Sequence, residues 1–160
     1  MNMLLMKIYE GVDYMCNEAK KDGCTCIAEI LKVILILQRK AGGGDTCLET
    51  CDRSFLGDSP ACFEYNTRPI MLYTACGNGT PWEMPIARNG TTCEEPEPGQ
   101  TVCSNVFRIE KLDGCCATFR VLAPSINGCF PYLATNSFFT MDLSCCCAIR
   151  CLPDTFVEGL

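Results

Sequence analysis

The chain has 160 residues, 48% hydrophobic and 20% charged, with 16 cysteines, no histidine and a net charge of -6. It is long enough for one domain with its own core, which excludes disorder as the default and means that disulfides are not needed merely to fold it. An acidic chain without a stripe of Lys and Arg lacks the footprint of a nucleic-acid binder, and the missing histidine removes the usual general base and every mixed Cys/His zinc site.

Met1 to Ile8 holds one early lysine and a short apolar patch. Glu10, Asp13, Glu18 and Asp22 follow at once without a small-residue cleavage site, so the segment does not read as a secretory signal. The only long apolar run, Ile27 to Leu37, contains Glu29 and Lys32 and is too short to cross a bilayer. A helix is predicted from about residue 25 to 40 within an arm of residues 1–42. Asp22 or Thr25 can cap it, Gln38-Arg39-Lys40 suit its C-terminal dipole, and Gly42-Gly43-Gly44 stops it. Ile27, Ile30, Leu31, Val33, Ile34, Leu35, Ile36 and Leu37 leave only a narrow polar edge, so the helix is covered either by its own domain or by a neighbour.

Residues 43–66 read as a connector carrying Cys47, Cys51 and Cys62. A β domain over 67–152 follows, with strand-like runs at Arg68–Thr74, Trp82–Ile86, Val102–Lys111, Ala117–Leu122, Phe130–Leu133 and Phe138–Leu152, and then a tail of 153–160. Gly, Pro and Asn clusters separate the runs. Asp113-Gly114 is the clearest hairpin turn, and the sequons at Asn78 and Asn89 read as turns. The expected architecture is mainly β, a β-sandwich or jelly-roll-like domain preceded by an N-terminal α-helix.

In the last run, strand alternation would place Cys145, Cys147, Ile149 and Cys151 on one face and Cys146, Ala148 and Arg150 on the other. Thiols on both faces of one strand are hard to satisfy within a small core, which points to bonds leaving the molecule. No Cys-x-x-Cys occurs, so the dithiol redox motif is missing, and the paired chelating dipeptides of a zinc ribbon are absent too. Cys151 beside Arg150 and Cys116 near Lys111 and Arg120 could have a lowered thiol pKa, but ordinary charges adjoin many of the cysteines, too little to read an enzyme. No cofactor is expected.

Several stretches carry a family likeness: Asn66-Thr67-Arg68-Pro69-Ile70-Met71-Leu72-Tyr73-Thr74, Val106-Phe107-Arg108-Ile109-Glu110, Cys115-Cys116-Ala117-Thr118-Phe119-Arg120-Val121-Leu122, and Asp142-Leu143-Ser144-Cys145 through Leu152. Together they resemble the CotY/CotZ and ExsY family of cysteine-rich spore coat and exosporium proteins of endospore-forming bacteria. The resemblance implies a structural protein made in the mother-cell cytoplasm without a secretion signal. It would assemble with itself, often into hexagonal two-dimensional arrays cross-linked by disulfides, beside other coat or exosporium proteins, with no nucleic acid or membrane partner. Family members often start close to an early cysteine, as in Met15-Cys16-Asn17-Glu18, so residues 1–14 are expected to be an upstream extension or a divergent arm.

On this reading the cysteines expected to join chains are Cys16, Cys24, Cys26, Cys146 and Cys151, and those expected inside the fold are Cys103, Cys115, Cys129, Cys145 and Cys147. The competing classes are a monomeric disulfide-stabilised binding module and a metal-thiolate protein.

Overall fold

The computed structural model describes residues 24–41, 65–95, 97–126 and 128–160. Among the described residues the fold is mainly β with one helix on its N-terminal side, as expected. Helix α1 spans Thr25–Ala41, and Arg39 and Lys40 lie in its last turn, where they oppose the negative end of the dipole. Seven strands follow: β1 (Ile70–Thr74), β2 (Met84–Pro85), β3 (Cys103–Ser104), β4 (Phe107–Asp113), β5 (Cys116–Pro124), β6 (Tyr132–Asp142) and β7 (Cys146–Cys151). Five form an antiparallel sheet in the order β6-β5-β4-β1-β7, and β2 pairs with β3 apart from it.

The β4–β5 hairpin closes through a two-residue loop, Gly114-Cys115, because Asp113 pairs with Cys116. Gly114 sits at φ 57° while Cys115 keeps a negative φ. A glycine at the first central position of a two-residue loop suits the right-handed twist of the flanking strands, and it places Cys115 at the hairpin tip. Asn78, the first sequon position, is likewise left-handed at φ 51°, in a turn as expected.

The C-terminal strands divide differently from the sequence expectation. The runs expected at Phe130–Leu133 and from Phe138 belong to one strand, β6, which stops at Asp142; a 3-10 turn over Leu143–Cys145 then separates it from β7. Asp142 causes the break. Its carboxylate accepts from the Ser144 amide at 3.0 Å and the Ser144 hydroxyl at 2.8 Å, a local bonding pattern that competes with the strand ladder.

The short turn also dictates the shape of the sheet. Four Cα steps from Asp142 to Cys146 reach about 14 Å at most, whereas crossing four strand spacings of a flat sheet takes about 19 Å. The sheet therefore coils. β1 shares only the pair Ile70–Phe107 with β4, and beyond that corner its edge is taken by Trp82, whose amide donates to the Leu72 carbonyl at 2.8 Å. The β1–β7 ladder thus folds over β4–β5–β6 in a sandwich-like layering. The Leu143 amide bonds to the Cys115 carbonyl at 2.8 Å and pins the closure.

Between the layers lie Ile70, Leu72, Phe107, Ile109, Phe119 and Leu143, all fully buried, with α1 supplying Ile27, Leu31, Ile34 and Leu35. Burying each large apolar side chain is worth about 1.5–3 kcal/mol. Phe139 meets Phe107 edge-on at 4.9 Å between centroids and Phe119 at 5.3 Å. Gln38, 5% exposed, joins helix to sheet: its amide donates to the Ile109 carbonyl at 2.9 Å and its oxygen accepts from the Arg68 amide at 3.2 Å.

On the outer face Arg108 lies directly across from Arg120, and Glu110 reconciles the two cations at 2.8 Å each. Arg120 also covers the Phe138 ring at 4.4 Å. A smaller cluster of Val106, Leu122 and Val157 holds the final residues against the domain. There Asn66 exchanges two hydrogen bonds with the Val157 backbone, Thr67 pairs with Thr155, and Arg68 grips Asp154 at 2.6 and 2.7 Å.

Candidate functional site

Tracing the chain through the coiled sheet brings most of the described cysteines to one end. Cys115 and Cys116 occupy the β4–β5 hairpin tip, Cys145 lies in the 3-10 turn beside it, and Cys146 and Cys147 begin β7. Cys146 pairs with Thr74, two residues before Cys76. Cys24 is bonded to Cys115, which fixes the start of α1, and with it Cys26, at the same end. Cys24 was expected to join another chain; the structure spends it internally instead, because the hairpin tip lies under the first turn of the helix.

A second disulfide links Cys93 to Cys103 across the segment leading into β3. Cys93 was not singled out in the sequence, although ten residues bracketing Glu95-Pro96-Glu97-Pro98-Gly99 are the spacing of a stapled turn. Among the described residues eight further cysteines are free. Cys26, Cys76, Cys116, Cys129, Cys145, Cys147 and Cys151 are exposed, and only Cys146 is buried. Cys16, Cys47, Cys51 and Cys62 lie outside the described residues.

The β7 cysteines correct the alternation read from the sequence. Thr74 pairs with Cys146 but Tyr73 with Ala148, so Cys147 is the extra residue of a β-bulge. The bulge reverses the parity of the strand between Cys146 and Ile149. Both therefore face the core, with Cys146 only 4% exposed, while Cys145 and Cys147 reach solvent. Burial pushes the Cys146 thiol above its ordinary range, and its neighbours Cys147 and Cys145 act in the same direction. Its sulfur donates to the Ala148 carbonyl at 3.3 Å. A buried, protonated thiol is a poor nucleophile, which argues against the intermolecular role expected of Cys146. Cys129, expected inside the fold, is exposed and free on the β5–β6 connection. Cys151 lies across from Ile70 at the outer edge of the sheet and is exposed.

Chemically, this end offers Cys26, Cys76, Cys116, Cys145 and Cys147 as exposed thiols spread over four chain segments around one internal disulfide. Among the described residues no three Cys, Asp or Glu side chains converge to hold a metal ion. Separate exposed thiols can each bond a different partner, which is the chemistry of a multivalent cross-linker. Among the described residues no helix is long and apolar enough to cross a membrane.

The family model described as spore coat protein Z matches residues 14–129. The match takes in α1, β1 to β5 and both disulfides; the Asp142–Leu152 block lies beyond it. No curated protein and no solved structure matches the chain.

Proposed function

Since the chain belongs to the spore coat protein Z family, a structural family of the spore coat, we propose that it is a self-assembling building block of the outer coat or exosporium. Copies join into a two-dimensional lattice, with hexamers as the repeating unit, and disulfides between chains turn that lattice into a protective barrier alongside other coat proteins. The observation that carries this reading is the group of exposed free thiols, Cys26, Cys76, Cys116, Cys145 and Cys147, gathered at one end of a fold already stapled internally. Disulfides needed only for stability would leave few accessible thiols, and a metal-thiolate centre would draw them together. Cys16 and Cys151 complete the set proposed to join chains.

Synthesis in a reducing cytoplasm keeps these thiols free until later oxidation, so assembly precedes locking. Expression of the chain alone, imaged by electron microscopy with and without reductant, tests the proposal. Sheets or stacked rings that resist denaturant only when oxidised are expected. Dispersed monomers under both conditions, with a single low-mass band on a non-reducing gel, would refute it and favour a monomeric binding module.

A further inference from the structure

The Cys24–Cys115 bond joins two unlike residues. Cys115 is exposed at the tip of the β4–β5 hairpin. Gly114 before it leaves the approach open, since a Cβ placed there would meet no heavy atom within 4 Å beyond its chain neighbours. Cys24 is half-buried and immediately precedes α1, and its carbonyl accepts from the Ala28 amide at 2.9 Å, which makes it the N-cap of the helix. One cysteine is therefore open to attack. The other stands at the helix end where unpaired amides and the positive pole of the dipole gather.

We propose that Cys24–Cys115 is a transferable disulfide: a thiolate of a second copy attacks the Cys115 sulfur, takes Cys115 into a bond between chains, and releases Cys24 as a thiolate. The inference rests on the reading of the chain as a self-assembling, cross-linked protein. The asymmetry of the bond sets the direction of exchange. Thiolates attack the accessible sulfur, and exchange is faster when the departing thiolate is stabilised. A helix N-terminus supplies that stabilisation to Cys24. Every copy also carries attacking groups, since Cys26, Cys116, Cys145 and Cys147 are exposed and free at this end of the fold.

The step balances without an added oxidant. The attacking thiol gives its proton to water, one S–S bond forms as the Cys24–Cys115 bond breaks, and the electron pair of the broken bond stays on the Cys24 sulfur, which later takes up a proton. The number of disulfides is unchanged.

Opening the bond leaves both of its anchors in place. The Cys115 carbonyl still accepts from the Leu143 amide at 2.8 Å, and α1 keeps its buried Ile27, Leu31, Ile34 and Leu35 and the Gln38 bonds to Ile109 and Arg68. The released Cys24 therefore stays beside Cys115, and in a dissolved chain it recloses the bond. A neighbour's thiol prevails only where that neighbour is held against the hairpin tip at a comparable effective concentration. Exchange thus follows contact between copies, and each closed Cys24–Cys115 bond founds one bond between chains.

The first test uses the full chain with both disulfides closed and its free thiols blocked by N-ethylmaleimide. It is challenged with cysteamine in the absence of oxygen, quenched with iodoacetamide and mapped by peptide mass spectrometry. Cysteamine is expected on Cys115 and the acetamide label on Cys24. This bond should open at least an order of magnitude faster than Cys93–Cys103, whose Cys93 is also exposed but whose Cys103 lies in β3, away from any described helix end. Equal rates, or cysteamine on Cys24, would overturn the inference, and this measurement needs no substituted chain.

The second test mixes the unblocked, oxidised chain with an isotope-labelled, reduced Cys24→Ser/Cys115→Ser copy, without oxidant. Bonds from Cys115 to the labelled chain, with Cys24 freed in equal amount, are expected. Cys115 moving only to another cysteine of its own chain would overturn the inference. If chains become joined only after diamide is added, with Cys24–Cys115 intact, the inference fails and the proposed function stands. If diamide joins no chains either, both fail.

Discussion

Removing the Cys24–Cys115 bond is expected to destabilise the protein far more than removing Cys93–Cys103, although both bonds hold irregular segments to the same domain. The two loops differ in length, with sequence separations of 91 and 10 residues. On the loop-entropy account the first bond restrains the unfolded chain by about 4.6 kcal/mol and the second by about 2.7 kcal/mol at 25 °C. Cys24→Ser/Cys115→Ser should therefore lose about 2 kcal/mol more than Cys93→Ser/Cys103→Ser. Equilibrium urea unfolding near pH 5, where thiolates are scarce and exchange is slow, measures both against the parent chain. The longer loop has a structural consequence as well: without its bond, α1 is held, among the described residues, by its apolar stripe and by Gln38. Equal losses in the two variants, or a larger loss from the short loop, would refute the reasoning.

Other expectations concern single side chains. Native-state alkylation followed by mass spectrometry should label Cys116, Cys145 and Cys147 within minutes and leave Cys146 unmodified until the chain unfolds; rapid labelling of Cys146 would contradict its placement behind the bulge. Gln38→Leu leaves the Ile109 carbonyl and the Arg68 amide without their partner and should cost about 1–3 kcal/mol by chemical denaturation. Glu110→Gln removes the anion between Arg108 and Arg120 and should cost about 1–3 kcal/mol, more at low salt than at high salt.

The hydrogen bond from the Arg68 guanidinium holds the Asp154 carboxyl below the ordinary carboxylate range. A depressed folded pKa contributes stability above the unfolded value that is lost as pH falls through the folded one. Both side chains are over a third exposed, so Asp154→Asn should loosen the final residues at pH 7 by no more than about 1 kcal/mol. Amide exchange at Thr155 and Val157 should report that difference, and the difference should vanish in strong acid.

The parts of the fold that were legible in the sequence are those fixed by local signals. Thr25 to Ala41 announces itself through the length of its apolar run, basic residues at its end and a run of glycines after it. The β4–β5 hairpin follows from one glycine that accepts a positive φ. What misled was a rule applied beyond its range. Alternation assigns faces only while a strand stays in register, and the bulge at Cys147, which depends on how β1 pairs with β7, inverts the roles of three successive cysteines. The side chain that ends β6 was readable in principle, since Asp142 followed two residues later by Ser144 is a turn former. The pairing of Cys24 with Cys115 was not, because it requires knowing that the sheet coils until a hairpin tip meets the start of the helix.

The coiled sheet also ties the order of synthesis to competence for assembly. β1 pairs along its whole length only with β7, whose residues leave the ribosome after every other strand has been made. Until residue 146 is available, Ile70 and Leu72 have no neighbouring ladder on that side and Cys76 no fixed surroundings. A nascent chain thus carries its thiols on an unfinished scaffold, and the geometry that aligns them for neighbours comes into being only with the last strand. Under the proposed function, in which disulfides join the copies, that delay guards against premature coupling of incomplete molecules.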